Sequence, residues 1–325
     1  MQKYDFVTIG GATEDITFYT DEAVMIDNKE DLLAQKLMAF EYGAKLGVEK
    51  SFSSFGGGAS NAAVCFSKLG FKTAVIVAVG DDYRGKGIVD NFKKQKVNTK
   101  LIQRIKGIET GFTFFIVGKD REHVGFSNRA ANAKLVITEK ELSEIDKSKW
   151  VYLTSLSGKW QEILKNVFCT KAKIVWNPGH IQLHTGYKAI GKYLKKTDIL
   201  TLNKDEAMEL VFSNPANKTM DSGFLNDIKN LIKILKSYGP KIVVITNGKH
   251  GVYAYDDNQA YYQGVIHSKK TADTTGVGDA FGSTFAAGME FFKGDIEKAM
   301  QAAIKNAASV VGEQGAQNGL LSKLS

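Results

Sequence analysis

The segment Asp273-Thr274-Thr275-Gly276-Val277-Gly278-Asp279, followed by Ala280-Phe281-Gly282, places a carboxylate in a glycine-rich turn that opens onto small and apolar residues. Glycine permits a tight turn and close approach of another group to the backbone. At a helix start the first amides lack intrahelical acceptors, and the helix dipole adds partial positive charge. The amides of Gly276, Val277 and Gly278 would therefore form an anion cradle, with Asp279 in the same turn. A carboxylate base beside donors for a developing charge is what phosphoryl transfer to a hydroxyl needs. The same residues also suit a plain capped helix with Asp279 in its first turn. Residue types alone leave both readings open.

Other chemistries fail on spacing. Gly80-Asp81-Asp82-Tyr83-Arg84-Gly85-Lys86 approaches a Walker A loop, but Gly87 stands where a magnesium-binding hydroxyl is required, and two acids would face phosphate. Gly276-x-Gly278 does not follow a first strand and is trailed by an acid, which is wrong for a dinucleotide cradle. His180 and His184 share a helical spacing without an evident third metal ligand. No G-x-S-x-G elbow is present.

The elements that must position the Asp279 turn read as alternating strands and helices. Apolar runs at Phe6–Ile9, Thr73–Val79, Val151–Leu153, Lys173–Trp176, Ile199–Leu202 and Ile242–Thr246 predict strands. Helical spacing predicts helices over Ala62–Leu69, with Ser60 or Asn61 near the cap, and over Tyr83–Gln95, Lys159–Phe168, Tyr187–Leu194, Asn203–Phe212, Phe224–Lys236, Gly278–Phe292 and Asp295–Val311. A patch at Leu32–Leu46 also carries a helical pattern. Hairpins are expected around Gly118-Lys119-Asp120 and Asp256-Asp257-Asn258. The fold class is α/β: a three-layer, mostly parallel sheet flanked by helices. Ligands in such sheets bind beyond the carboxyl ends of the strands. Gly10-Gly11, Gly80-Asp81, Asn177-Pro178-Gly179, Asn203 and Gly248 all fall there.

Composition bounds the rest. The 325 residues are 43% hydrophobic and 24% charged, with 32 Gly and 3 Pro, which is globular rather than fibrous or disordered. The formal charge of +8 is spread over lysines beside apolar residues at helical spacing, so a nucleic-acid partner is not expected. Cys65 and Cys169 lie in apolar stretches and read as buried thiols. No run of 18 apolar residues and no leader pattern is visible, so no membrane partner and a cytoplasmic location are expected.

The Asp273–Phe281 motif resembles the C-terminal signature of the ribokinase-like (PfkB-type) carbohydrate kinases. A second match is Gly57-Gly58-Ala59-Ser60-Asn61-Ala62-Ala63, with Leu69-Gly70, Gly80-Asp81-Asp82 and Gly85. Asn203-x-x-Glu206 and Thr246-Asn247-Gly248-Lys249-x-Gly251 fit as well, so the likeness runs from about Asp5 to Gly315.

The resemblance implies ATP-dependent phosphorylation of a sugar hydroxyl, with Asp279 as general base and Gly276, Val277 and Gly278 as the anion hole. It implies substrate contacts at Asp15, Gly57, Gly58 and Asn61. Asn203 and Glu206 match the motif near magnesium and the phosphates; Thr246 and Gly248 match the nucleotide side, and Asn306 a polar residue near the adenine. Asp273 and Thr275 match a site for K+, the monovalent cation that some members use.

Each position also has a plain alternative. Asp15 would serve a strand-end turn, Asn61 a helix cap, Glu206 a first-turn acid, and Asn306 a satisfied polar contact. Arg129 is read as reaching an anionic or hydroxylated substrate, with a surface salt bridge as the alternative. The resemblance further implies one large kinase domain over 1–325, with a small β-sheet lid formed by parts of 12–56 and 108–130, and a homodimer through that lid. The long stretch between Asp15 and Gly56 is similar to the larger lids of adenosine kinase-like members. A nucleoside kinase is therefore the second reading, and a non-catalytic ligand-binding member the third.

Overall fold

The computed structural model describes residues 3–27, 36–119, 123–266 and 274–324. Eight strands form the central sheet: β1 (Tyr4–Ile9), β6 (Thr73–Ile76), β11 (Ser148–Leu153), β12 (Lys173–Trp176), β13 (Ile199–Asn203), β14 (Ile242–Thr246), β15 (Val252–Tyr255) and β16 (Ala260–Gln263). Their order is β16-β15-β14-β13-β12-β11-β1-β6. The six strands from β14 to β6 are parallel, and the β15–β16 hairpin is antiparallel at one edge.

Helices cover both faces, as a parallel sheet requires. They are α1 (Gly58–Lys68), α2 (Tyr83–Lys94), α3 (Glu139–Ile145), α4 (Trp160–Val167), α5 (His180–Thr185), α6 (Tyr187–Leu194), α7 (Lys204–Phe212), α8 (Ser222–Asn226), α9 (Ile228–Ser237), α10 (Val277–Phe291) and α11 (Ile296–Val311). Strand alternation divides the core. Val151, Leu153, Leu200, Leu202, Val243 and Ile245 pack with buried residues of α4 to α9. Trp150, Tyr152, Val175, Ile199 and Val244 point to the other face, against α1, α10 and α11. A third cluster joins α1 and α2 through Val64, Ile88 and Phe92. The expected three-layer α/β class is present.

A second, four-stranded sheet has the order β10-β9-β2-β5, from β2 (Thr13–Tyr19), β5 (Lys50–Gly56), β9 (Phe112–Val117) and β10 (His123–Asn128). It falls within the segments expected to form the lid. Two short pairs complete the set: β3 (Val24–Asp27) with β4 (Lys36–Ala39), and β7 (Ala78–Gly80) with β8 (Gln103–Ile105).

Four sequence expectations are corrected. Among the described residues of Leu32–Leu46 there is a strand, β4, and no helix. Its Leu37 and Met38 pair across from Ile26 and Met25, so the apolar pattern serves a hairpin. The run Thr73–Val79 is two strands, with the second leaving to pair with β8. The Phe224–Lys236 helix is broken at Asp227, whose side chain caps α9 through the Lys229 amide. Cys169 is exposed, whereas Cys65 is buried as expected.

Candidate active site

The Asp279 turn is a helix start, as the glycine pattern indicates. Gly276 is the N-cap of α10 with φ 75°, in the left-handed region. A Cβ there would also lie 2.2 Å from Ala316 Cβ, so only glycine fits. Among the described residues, the amides of Gly276 and Gly278 meet no protein acceptor. The Val277 amide is partly committed, donating to the Thr274 carbonyl at a long 3.4 Å. The cradle expected from three amides thus rests chiefly on two.

Asp279 sits in the first turn of α10 and accepts a hydrogen bond from Asn61 Nδ2 at 2.8 Å. Burial pushes the Asp279 carboxyl above its ordinary range, and the Asn61 donor opposes that rise. Asn61 is buried in the first turn of α1 rather than at its cap. The cap is Gly57, with φ 90°, where a Cβ would lie 2.5 Å from the Gly11 carbonyl oxygen.

Two cavities meet at this turn. One, of 260 Å³, is lined by Asp15, Gly57, Gly58, Asn61, Arg129 and Asp279, together with Thr275 and Gly276. Asp15 is buried on β2 and accepts from Thr13 Oγ1 at 2.8 Å. Arg129 is exposed at the cavity wall and forms no ion pair among the described residues, so the salt-bridge reading is not realised. The other cavity, of 590 Å³, is lined by Asn203, Thr246, Gly248, Val277 and Gly278 and by apolar residues including Val252, Ile266, Ile304 and Ala307. Asn203 and Thr246 lie side by side at the carboxyl ends of β13 and β14. Consecutive residues of a single turn therefore face a polar chamber and a largely apolar one.

Asn203 and Glu206 form a reciprocal cap on α7. Asn203 Oδ1 accepts from the Glu206 amide at 2.8 Å, and Glu206 Oε2 accepts from the Asn203 amide at 2.9 Å. The capping reading is thus realised, while Asn203 also lines the larger cavity. Burial raises the Glu206 carboxyl above its ordinary range; the Asn203 amide opposes this, and the negative charge of Asp279 adds to the rise.

One expected site residue, Asn306, is not brought here. Asn306 is buried in the α10–α11 contact, donating to Thr284 Oγ1 at 2.6 Å and accepting from the Leu321 amide at 2.8 Å. It lines neither cavity, and its amide is fully occupied in joining elements. Asp273 lies outside the described residues. Reading motifs missed Thr113, Ser127, Ser155 and Ser157 on the polar cavity, while Lys249, quoted within the Thr246–Gly251 motif but given no role, lines the other. Ser155 and Ser157 could have been found, because they follow directly on β11, where parallel strands present ligand groups.

Comparison with known proteins identifies the fold and the family. A ribokinase of Dictyostelium discoideum is 26% identical over 280 residues, covering 81% of this chain and 86% of that protein. The structure of Arabidopsis thaliana ribokinase complexed with ribose and ATP superposes with a TM-score of 0.80 at 19% identity, covering 98% of this chain and 96% of that one. The Methanocaldococcus jannaschii nucleoside kinase gives 0.76 at 20% identity, over 99% and 96%. These likenesses establish the ribokinase-like fold. Residues 26–323 match the model of the pfkB family carbohydrate kinases. The chain belongs to that family and is an ATP-dependent phosphotransferase with a sugar hydroxyl as acceptor.

Proposed function

We propose that the 260 Å³ cavity holds the sugar, the 590 Å³ cavity holds ATP, and Asp279 is the general base. The observation that carries this is the Thr274–Asp279 turn shared by the two cavities. The Gly276 and Gly278 amides, which meet no protein acceptor among the described residues, and the Asp279 carboxylate lie where a γ-phosphoryl group would meet a hydroxyl. Asp15 and Asn61 bind and orient the acceptor. Asp279 takes the proton of the attacking hydroxyl as its oxygen bonds to the γ-phosphorus, while the bond from that phosphorus to the β,γ-bridging oxygen breaks and ADP leaves. The amides of Gly276 and Gly278 hold the charge on the transferring oxygens. Val252, Ile266 and Ile304 provide the apolar walls for the nucleotide base, and Asn203, Thr246 and Gly248 its polar contacts.

A magnesium ion would be held beside the nucleotide cavity at Asn203, which lines it, and at Glu206, capped to Asn203, whose carboxyl feels the negative charge of Asp279. Among the described residues no group of three acids, histidines or cysteines could hold a metal alone, so phosphates and water would complete its shell. When bound, it neutralises phosphate charge. The K+ reading rests on Thr275 and on Asp273, and is tested by comparing turnover in potassium and in tetramethylammonium salts.

The four-stranded sheet supplies Thr13, Asp15, Thr113, Phe115 and Ser127 to the sugar cavity, which supports a lid that closes on the acceptor and excludes water. With that lid, residues 1–325 act as one kinase domain. Strand β10 is an open edge of that sheet, with Phe126 57% exposed, which supports a homodimer through the lid. Light scattering of the wild type and of Phe126→Lys tests this. Use of ATP favours the cytoplasm, and among the described residues no helix is long and apolar enough to cross a membrane.

The polar lining and small volume of the acceptor cavity favour a sugar over a nucleoside. ADP release with ribose, fructose, a keto-deoxy sugar acid and adenosine, using wild type and Asp279→Asn, is the test. Turnover only with adenosine would replace the sugar reading by the nucleoside one, and no turnover with any acceptor would favour a non-catalytic binder.

A further inference from the structure

Gln317 follows α11 and lines neither cavity, yet both ends of its carboxamide are engaged. Its oxygen accepts from Asn91 Nδ2 at 2.8 Å. Its nitrogen donates to Ser60 Oγ at 3.0 Å and to Asn61 Oδ1 at 3.1 Å. Asn61 passes the polarity on, donating from Nδ2 to Asp279 Oδ2 at 2.8 Å. Every donor therefore points the same way, from α2 through the C-terminal loop and α1 to α10. Bonds aligned in this manner reinforce one another in a low-dielectric interior.

The direction matters because an asparagine amide has two unlike ends. With its NH₂ toward Asp279 it donates to the carboxylate; turned over, it would present an oxygen to an oxygen. The Gln317 NH₂ group can only satisfy an acceptor, so it selects the first arrangement. The loop is itself anchored. Lys68 Nζ donates to the Gln317 carbonyl at 3.1 Å, and the neighbouring Ala316 fills the space that a side chain at Gly276 would need.

We propose that Gln317 is a positioning residue for phosphoryl transfer: it fixes the Asn61 amide with its NH₂ toward Asp279 and so aims that carboxylate at the acceptor hydroxyl. This rests on the assignment of Asp279 as the base. A glutamate at 317 would keep the bond from Asn91 but could not donate to Asn61 when ionised. A leucine would lose both. If the network merely stapled the loop, either change would lower stability without acting through Asn61.

The test measures ADP release by the full chain with ATP and the best acceptor of the panel above, for Gln317→Glu and Gln317→Leu, each alone and combined with Asn61→Ala. Melting temperatures confirm that each variant is folded, and Gln317→Glu, which keeps side-chain length and the Asn91 bond, remains informative if the leucine variant does not fold. The expected result is a kcat lowered about 10- to 100-fold by either substitution. The KM for ATP stays within about two-fold. In the Asn61→Ala background, neither substitution lowers kcat further. An unchanged kcat, or the same fold loss in both backgrounds, overturns the proposal. A wild-type chain with no turnover on any acceptor overturns the kinase reading instead, and the proposal falls with it.

Discussion

Asn61 and Asp279 stand 218 positions apart in the chain and meet through one hydrogen bond of 2.8 Å. The contact joins the glycine loop that enters α1 to the turn that enters α10. Both helices pack on one face of the sheet, so the bond brings the two motifs to one point above the strand ends. It also leaves Asp279 with a neutral donor rather than a cation, so the carboxylate gains support without being locked in an ion pair.

Replacing Asp279 by Asn separates turnover from stability. Turnover falls by about 10²-fold or more, the usual range for a lost general base. The melting temperature rises, because burial disfavours the ionised carboxyl that the substitution removes. Steady-state ADP release and a thermal melt at neutral pH check both parts. Unchanged turnover removes Asp279 from its role.

The pH dependence follows from the same carboxyl. Its folded pKa is raised above the ordinary 3.8, so a base at this position loses its competence at a higher pH than an exposed aspartate would. The acidic limb of kcat/KM is therefore displaced upward. The stability sign is opposite to that of a salt-bridged acid: a raised carboxyl pKa stabilises the fold below the unfolded value, and that stabilisation is lost as pH rises through the folded value. Glu206, also raised, contributes in the same direction. Kinetics and melts across a pH series measure the two effects independently.

Much of the candidate site was legible because its motifs are local. The spacing of Gly276, Gly278 and Asp279 dictates a helix start with exposed amides, and that is what forms. The sheet was legible because each parallel strand carries its own apolar run. Long-range pairings were not. Asn306 is a polar residue on an apolar helix face, and nothing near it in sequence tells that Thr284 and the Leu321 amide will consume its amide. The Gln317–Asn61 bond spans 256 positions and belongs to no motif. The β3–β4 hairpin was hidden because alternating and helical patterns coincide over so short an apolar stretch.

Asn306→Ala should accordingly act on the fold rather than on the nucleotide. It leaves the Leu321 amide and the Thr284 hydroxyl without their partner, costing about 1–3 kcal/mol. The KM for ATP is expected to stay within about two-fold of wild type once the protein is folded. A large rise in that KM with an unchanged melting temperature would restore Asn306 to the nucleotide site.

The proposed role of Arg129 is to discriminate among acceptors. It forms no ion pair among the described residues and lines the cavity proposed for the acceptor, so Arg129→Leu should raise the KM of a sugar acid about 10-fold or more, the loss expected for a charge-assisted contact. A neutral sugar should feel about two-fold or less. Equal effects on both acceptors would show that the guanidinium serves the cavity wall and not the substrate.

The loop after α11 touches Gly276 through Ala316, Asn61 through Gln317, and the small sheet through Gln314, which donates to the Tyr19 hydroxyl. Ribosomes deliver residues in order, so Asp15 and Asn61 leave the exit tunnel long before this clasp is made. A nascent chain halted at Val311 would hold every strand of the central sheet while its Gly276 turn still lacked the Ala316 wedge. The clasp on the Asp279 turn is thus made only once the residues beyond α11 have been added to a sheet whose strands already exist.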